Sequence, residues 1–181
     1  MGNLFKYSLS SFGWQFAIGM YMPFLVFFIK DMPRGSMTTA GILLGGYFVL
    51  AALFTYPAGW LSDVVGRKML IFIGSAGGAY MLYQLSFISR IADLYLIVLL
   101  ASLFYALNQG AAHPMLYEIA EGERQGTLIS SVRLFSTAGM AIGTLSGGYL
   151  AELYSIQLLL QAAAAVSFLS AFPILFVGGK K

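Results

Sequence analysis

Gly59-Trp60-Leu61-Ser62-Asp63-Val64-Val65-Gly66-Arg67-Lys68 puts one acid and two bases between two long apolar runs. Thr39 to Leu61 leads into it without a charge, and Met69 to Ser89 follows without one. At ~1.5 Å rise per residue, about 20 helical residues cross a ~30 Å hydrocarbon core. Both runs are long enough, so the stretch is a tight charged turn at a membrane surface.

Working outward, composition agrees. Of 181 residues, 59% are hydrophobic and 9% charged, against about 25% charged in soluble domains. A globule of this size cannot bury that much apolar surface, so lipid is the expected solvent. A net charge of +3 offers no nucleic-acid surface. The absence of cysteine and the single histidine exclude thiolate and histidine metal sites. No nucleophile–base pair, phosphate loop or metal cluster is visible, so neither enzymatic chemistry nor a cofactor is expected. The first apolar run follows Lys6, continues to Phe28 and ends in Ile29-Lys30-Asp31-Met32-Pro33-Arg34. That ending is no small-residue cleavage site, so the run reads as a span rather than a secretory signal.

Charges, Pro and Gly divide the chain into six spans near 11–29, 39–61, 69–89, 95–117, 127–150 and 157–177. All are expected to be helices, because a membrane span must satisfy its backbone internally. One side collects Lys6, Arg67, Lys68, Arg124, Lys180 and Lys181; the other has Lys30, Arg34 and Arg90. The cationic side faces the cytoplasm, which predicts both termini there, in a plasma or bacterial inner membrane. The end of span two, Thr55-Tyr-Pro-Ala-Gly59-Trp60-Leu61-Ser62-Asp63, is echoed at the end of span five by Thr144-Leu-Ser-Gly-Gly148-Tyr149-Leu150-Ala151-Glu152. Three spans separate the copies, so they emerge on opposite faces. The expected fold is one all-α bundle over 1–181, an inverted three-plus-three repeat with units of about 11–89 and 95–177.

Gly59-x-Leu61-Ser62-Asp63-x-x-Gly66-Arg67-Lys68 resembles the signature between spans two and three of the major facilitator superfamily, G-x-L-A-D-x-x-G-R-K, with Ser62 for Ala. Glu118 stands where that family often has an acid ending span four, and Glu123-Arg124-Gln125-Gly126 resembles its E-R-R-G before span five. Gly139-x-x-x-Gly143-Thr144-x-x-Gly147-Gly148 is similar to its antiporter pattern, with Thr144 in place of Pro. The Arg that many members carry in span four corresponds to Ser102. Members usually have twelve spans, so the likeness is to the N-terminal six-helix half.

The resemblance implies that Gly59, Asp63, Gly66, Arg67, Lys68 and Glu118 form a conformational latch that holds the cytoplasmic side shut and releases as it opens. It also implies that spans one and four line a central cavity. Gln15, Tyr105, Gln109 and His113 are therefore cavity candidates, and polar groups inside a membrane are functional suspects in any case. His113 could bind a polar solute or carry a proton, since imidazole exchanges protons near neutral pH; it could equally be hydrogen-bonded inside the bundle beside Pro114. Arg133 in span five could attract an anionic group, pair with Glu118 or Glu121, or snorkel to the interface. Gly139, Gly143 and Gly147 on span five, and Gly41 and Gly45 on span two, let helices approach closely in lipid. They could serve packing within the six helices or a face for another half.

The implied function is secondary transport of a small solute by alternating access. One half supplies one wall of a cavity, so a second six-helix half is expected as a partner: another copy, a separate chain or a missing C-terminal half. The rival expectation is a non-transporting split or degenerate half that serves as an assembly or regulatory subunit in the membrane. Solute identity and charge, coupling ion and direction have no signature here.

Overall fold

The computed structural model describes residues 2–122 and 124–178. Glu123, Lys180 and Lys181, used above, lie outside them. The described residues form helices α1 (Gly2–Lys30), α2 (Met37–Val65), α3 (Arg67–Leu85), α4 (Ile91–Ile119), α5 (Gln125–Leu153) and α6 (Ile156–Ser170), with a short α7 (Phe172–Leu175) and no strand. All six expected spans are helical. α1, α2, α4 and α5 have 29 residues each, about 43 Å by helical rise, so their ends pass beyond a hydrocarbon core.

Five segments are long and apolar enough to cross a membrane: α1, α2, α4, α5 and the α6–α7 stretch Ile156–Leu175. α3 is not among them. It has 19 residues, begins with Arg67 and Lys68, and is diluted by Gly74, Ser75, Gly77, Gly78 and Gln84. It packs mainly against α4 and α6.

Helix ends follow local chemistry. Ser36 caps α2, its hydroxyl accepting from Thr39 N at 3.0 Å, and Ser155 caps α6 by accepting from Leu158 N at 3.3 Å, as N-cap serines do. α1 starts well before residue 11 because its polar beginning is tied to the far end of the chain. Lys6 Nζ donates to Phe176 O at 2.7 Å. Asn3 exchanges two hydrogen bonds with Gly178, at 3.1 and 2.7 Å. The sixth span breaks at Ala171, just before Pro173, a residue with no N–H to continue the ladder.

Gly66 alone separates α2 from α3. It has φ +102° and ψ 132°, and its N–H closes α2 on Ser62 O at 3.0 Å. A side chain is strained at that φ. Gly66→Ala is expected to cost about 1–3 kcal/mol, read as a lower thermal midpoint in detergent; an unchanged midpoint would contradict this turn geometry.

α1 packs chiefly on α5 and α6, and α4 on α2 and α3. At the α2–α4 crossing, a Cβ on Gly110 would stand 2.9 Å from Gly59 N and 3.1 Å from Ala58 Cβ. On α5, a Cβ at Gly139 would come 2.7 Å from Phe12 O, while Cβ atoms at Gly143 and Gly147 would collide with Phe16 O and Met20 O. All three glycines are buried on α1, so the stripe is internal packing and no face for another half. Gly41 and Gly45 differ: both are exposed, with open space where a Cβ would be.

Two apolar clusters hold the bundle. One, around Phe28, Leu43, Leu94, Leu159 and Leu160, lies away from the 59–68 turn; the other, around Leu70, Ile71, Met115, Leu116 and Ile174, lies beside it. The outer surface is also apolar, with Leu53, Tyr56, Leu134 and Leu145 each more than 60% exposed. That is the inverse of a soluble protein and matches lipid as solvent.

Candidate functional site

The charged turn is built on three helix ends. Asp63 sits in the last turn of α2 and Glu118 in the last turn of α4, where the dipole disfavours an anion; Arg67 opens α3, where it disfavours a cation. Each is relieved by the others. Arg67 Nη2 meets Asp63 Oδ1 at 3.2 Å, and Arg67 Nη1 meets Glu118 Oε1 at 2.6 Å. One guanidinium thereby clasps α2 to α4, using the fork that a lysine lacks. Both carboxylates are more than half exposed, so the ion pairs contribute about 1 kcal/mol or less each to folding. Ser62, buried just before Asp63, donates to Gly59 O at 2.7 Å. Lys68 and Glu121 line the same open cleft, which runs past Asn3, Gln125 and Gly178.

About 8 Å up α4 from Glu118 by helical rise, His113 enters a polar pocket of about 350 Å³. Gln15 of α1, Gln109 and His113 of α4, and Arg133 of α5 all line it. Four of the five expected cavity residues are therefore brought together. Tyr105 is not with them. It lies in a separate apolar pocket with Tyr21 and Tyr47, its ring 5.6 Å from that of Tyr47. One helical turn separates Tyr105 from Gln109, but the α3 face opposite changes there from Gly78 and Met81 to Ile71.

The pocket wall is held by hydrogen bonds the sequence did not single out. Asn108 is buried and donates to Ser75 Oγ at 2.9 Å; Gln109 Nε2 donates to Asn108 Oδ1 at 3.1 Å. Gln109 is thereby tied to the buried Asn108. His113 Nδ1 lies 3.1 Å from Gln109 O; a carbonyl only accepts, so Nδ1 carries the hydrogen and Nε2 is left for the pocket. Ser136 donates to Val132 O, so Ser11 must be the donor in the 2.7 Å Ser11–Ser136 bond that ties α1 to α5. Tyr7 donates to Ala112 O at 2.9 Å. Trp14 stands between the polar and the apolar pocket, and its buried indole N–H has no partner among the described residues. A polar residue beside Gln109 in an apolar span was the available signal for Asn108; Trp14 and Ser11 carried none.

Arg133 corrects one expectation. Glu118 belongs to Arg67, and Glu121 lines the cleft below rather than this pocket. Ser102, where many members of the resembled family have Arg, is fully buried and donates to Leu99 O at 2.8 Å. Thr144 keeps α5 continuous through the place of the family's Pro, its hydroxyl donating to Met140 O at 3.0 Å.

Long helices with apolar outer faces, and an open polar pocket between α1, α4 and α5, define a multi-pass helical membrane protein. The family model of the Major Facilitator Superfamily matches residues 7–180, and the chain belongs to that superfamily. It is similar to the uncharacterized MFS-type transporter YitZ of Bacillus subtilis, 24% identical over 90% of this chain and 99% of that one. An uncharacterized MFS-type transporter of Methanocaldococcus jannaschii is 23% identical over 86% of this chain and 40% of its own length. The multi-drug resistance efflux pump PmrA of Streptococcus pneumoniae is 25% identical over 86% of this chain and 39% of its own. The chain thus spans almost all of the first relative and about two fifths of the other two. Family and relatives point to a membrane transporter rather than an enzyme.

Proposed function

We propose that this chain is one six-helix half of a secondary transporter that moves a small solute by alternating access. The polar pocket is one wall of the solute cavity, and the hairpin 59–68 is the latch. The observation that carries the reading is the single Arg67 clasp on Asp63 and Glu118, set at the mouth of the bundle one to two turns below the pocket. Its ion pairs are weak enough to open during a cycle.

The second half docks on α2 and α5 in this reading. Leu53, Tyr56 and Trp60 of α2 are exposed, and so are Ile142, Leu145 and Tyr149 of α5. These six occupy equivalent places in the alignment that pairs Thr55 with Thr144. The packing of α1 on α5 is likewise matched by that of α4 on α2. Both correspondences support the inverted repeat with units near 11–89 and 95–177. Lys6, Arg67 and Lys68 belong to the hairpin end, which faces the cytoplasm of a plasma or bacterial inner membrane.

The test uses the full chain in detergent and in proteoliposomes. A mass of two six-helix units and uptake from a panel of small organic solutes are expected. A strict monomer with no uptake would favour the non-transporting subunit. Asp63→Asn is expected to slow uptake about tenfold with an unchanged yield of folded protein; normal turnover in that variant would remove the latch.

A further inference from the structure

We propose that the solute received by the polar pocket presents an oxyanion, of carboxylate or phosphate type, to Arg133. This rests on the pocket being the solute cavity, and adds the charge of what enters it.

Arg133 lines the pocket beside Gln15, Gln109, His113 and Thr137. It makes no ion pair or hydrogen bond with any described residue. A charge within a membrane needs compensation by a partner or by water, and no described Asp or Glu lines the pocket to provide it. The described acids, Asp31, Asp63, Asp93, Glu118, Glu121 and Glu152, all lie at or near helix ends or in the connections. Once another half covers the pocket and water is reduced, the charge is balanced most directly by one that the solute brings.

The remaining groups suit the same ligand. The guanidinium fork matches two oxygens of a carboxylate or phosphate. Thr137 and the Gln15 amide add neutral donors around it. A cationic solute would meet a like charge here and no described counter-ion. A neutral solute would leave the guanidinium uncompensated.

The chain has two tryptophans, and Trp14 is in the pocket wall. Emission is recorded for the unsubstituted protein, and the part of the signal that Trp14→Phe removes is assigned to Trp14. The protein in zwitterionic nanodiscs is titrated with cyclohexanecarboxylate, cyclohexanecarboxamide and cyclohexylmethylammonium, which share one skeleton and differ in charge. The carboxylate is expected to bind about tenfold tighter than the amide, with the ammonium weakest. Arg133→Gln should level the series, and Arg133→Lys should keep most of the preference, which guards against a folding defect. Equal binding of all three, or a preference that survives Arg133→Gln, overturns the oxyanion while leaving the cavity in place. Failure of all three to change Trp14 emission overturns the cavity itself, and the inference with it. Adding phosphatidylglycerol to the nanodiscs should leave carboxylate affinity unchanged; competition would assign Arg133 to a lipid headgroup and overturn the solute.

Discussion

Gly143→Leu is expected to abolish the folded bundle, and Gly143→Ala to weaken it by about 3 kcal/mol or more. A Cβ at this position runs into the carbonyl of Phe16 and lies 2.9 and 3.0 Å from its C and Cα atoms. Those are backbone atoms, so no rotamer change relieves the clash; α1 and α5 must separate. Separation would also disturb Gly139 on Phe12 and Gly147 on Met20, and the Ser11–Ser136 bond. Overpacking a tight interface commonly costs 1–3 kcal/mol, more when backbone must move. Thermal midpoint and monodispersity in detergent measure the loss. Gly46→Ala is the control: nothing lies within 4 Å of its Cβ position, and Ala favours a helix interior by about 1 kcal/mol over Gly. A Gly143→Ala protein as stable as Gly46→Ala would refute the α1–α5 contact.

The second large effect concerns function. Arg67→Gln removes both arms of the clasp at once and leaves Asp63 and Glu118 near each other at two helix C-termini, each opposed by the dipole. Uptake into proteoliposomes is expected to fall more than tenfold, a larger loss than for Asp63→Asn, which keeps the 2.6 Å contact to Glu118. The thermal midpoint should move little, because the lost ion pairs are exposed and contribute about 1 kcal/mol or less. Arg67→Lys should recover only part of the rate, since an ammonium lacks the fork that reaches both carboxylates. A midpoint that collapses together with the rate would make Arg67 a structural residue rather than part of a latch.

The site is partly legible in the sequence. Gln15, Gln109, His113 and Arg133 stand out because each is polar in an apolar stretch, and polar groups are expensive in lipid unless they face one another. Tyr105 is a candidate because it lies on span four, yet its place one turn from Gln109 fixes only a shared side of α4. Which pocket a residue enters depends on what α3 places opposite. Asp63 and Glu118 join Arg67 in the sequence only through the family resemblance of the hairpin and of the acid ending span four; the contacts themselves come from the structure. The fate of Arg133 could not be named from the sequence, because Glu118 was a plausible mate for both arginines and only distance decides between them.

Sequence alone determined that this chain is helical, membrane-spanning and sharply turned at Gly66. Those properties follow from local physics: apolar length, internal backbone satisfaction and charge at the ends of spans. It also carried the hairpin signature that led to the family. Tertiary structure alone decided which faces meet. It turned Gly139, Gly143 and Gly147 inward onto α1, left Gly41 and Gly45 open, separated Tyr105 from the polar pocket, and gave Glu118 to Arg67. In a membrane helix nearly every face is apolar, so the amphipathic pattern that marks the core side of a soluble helix is weak. The choice of face then falls to close backbone approach and to a few polar partners, which only the packed arrangement specifies.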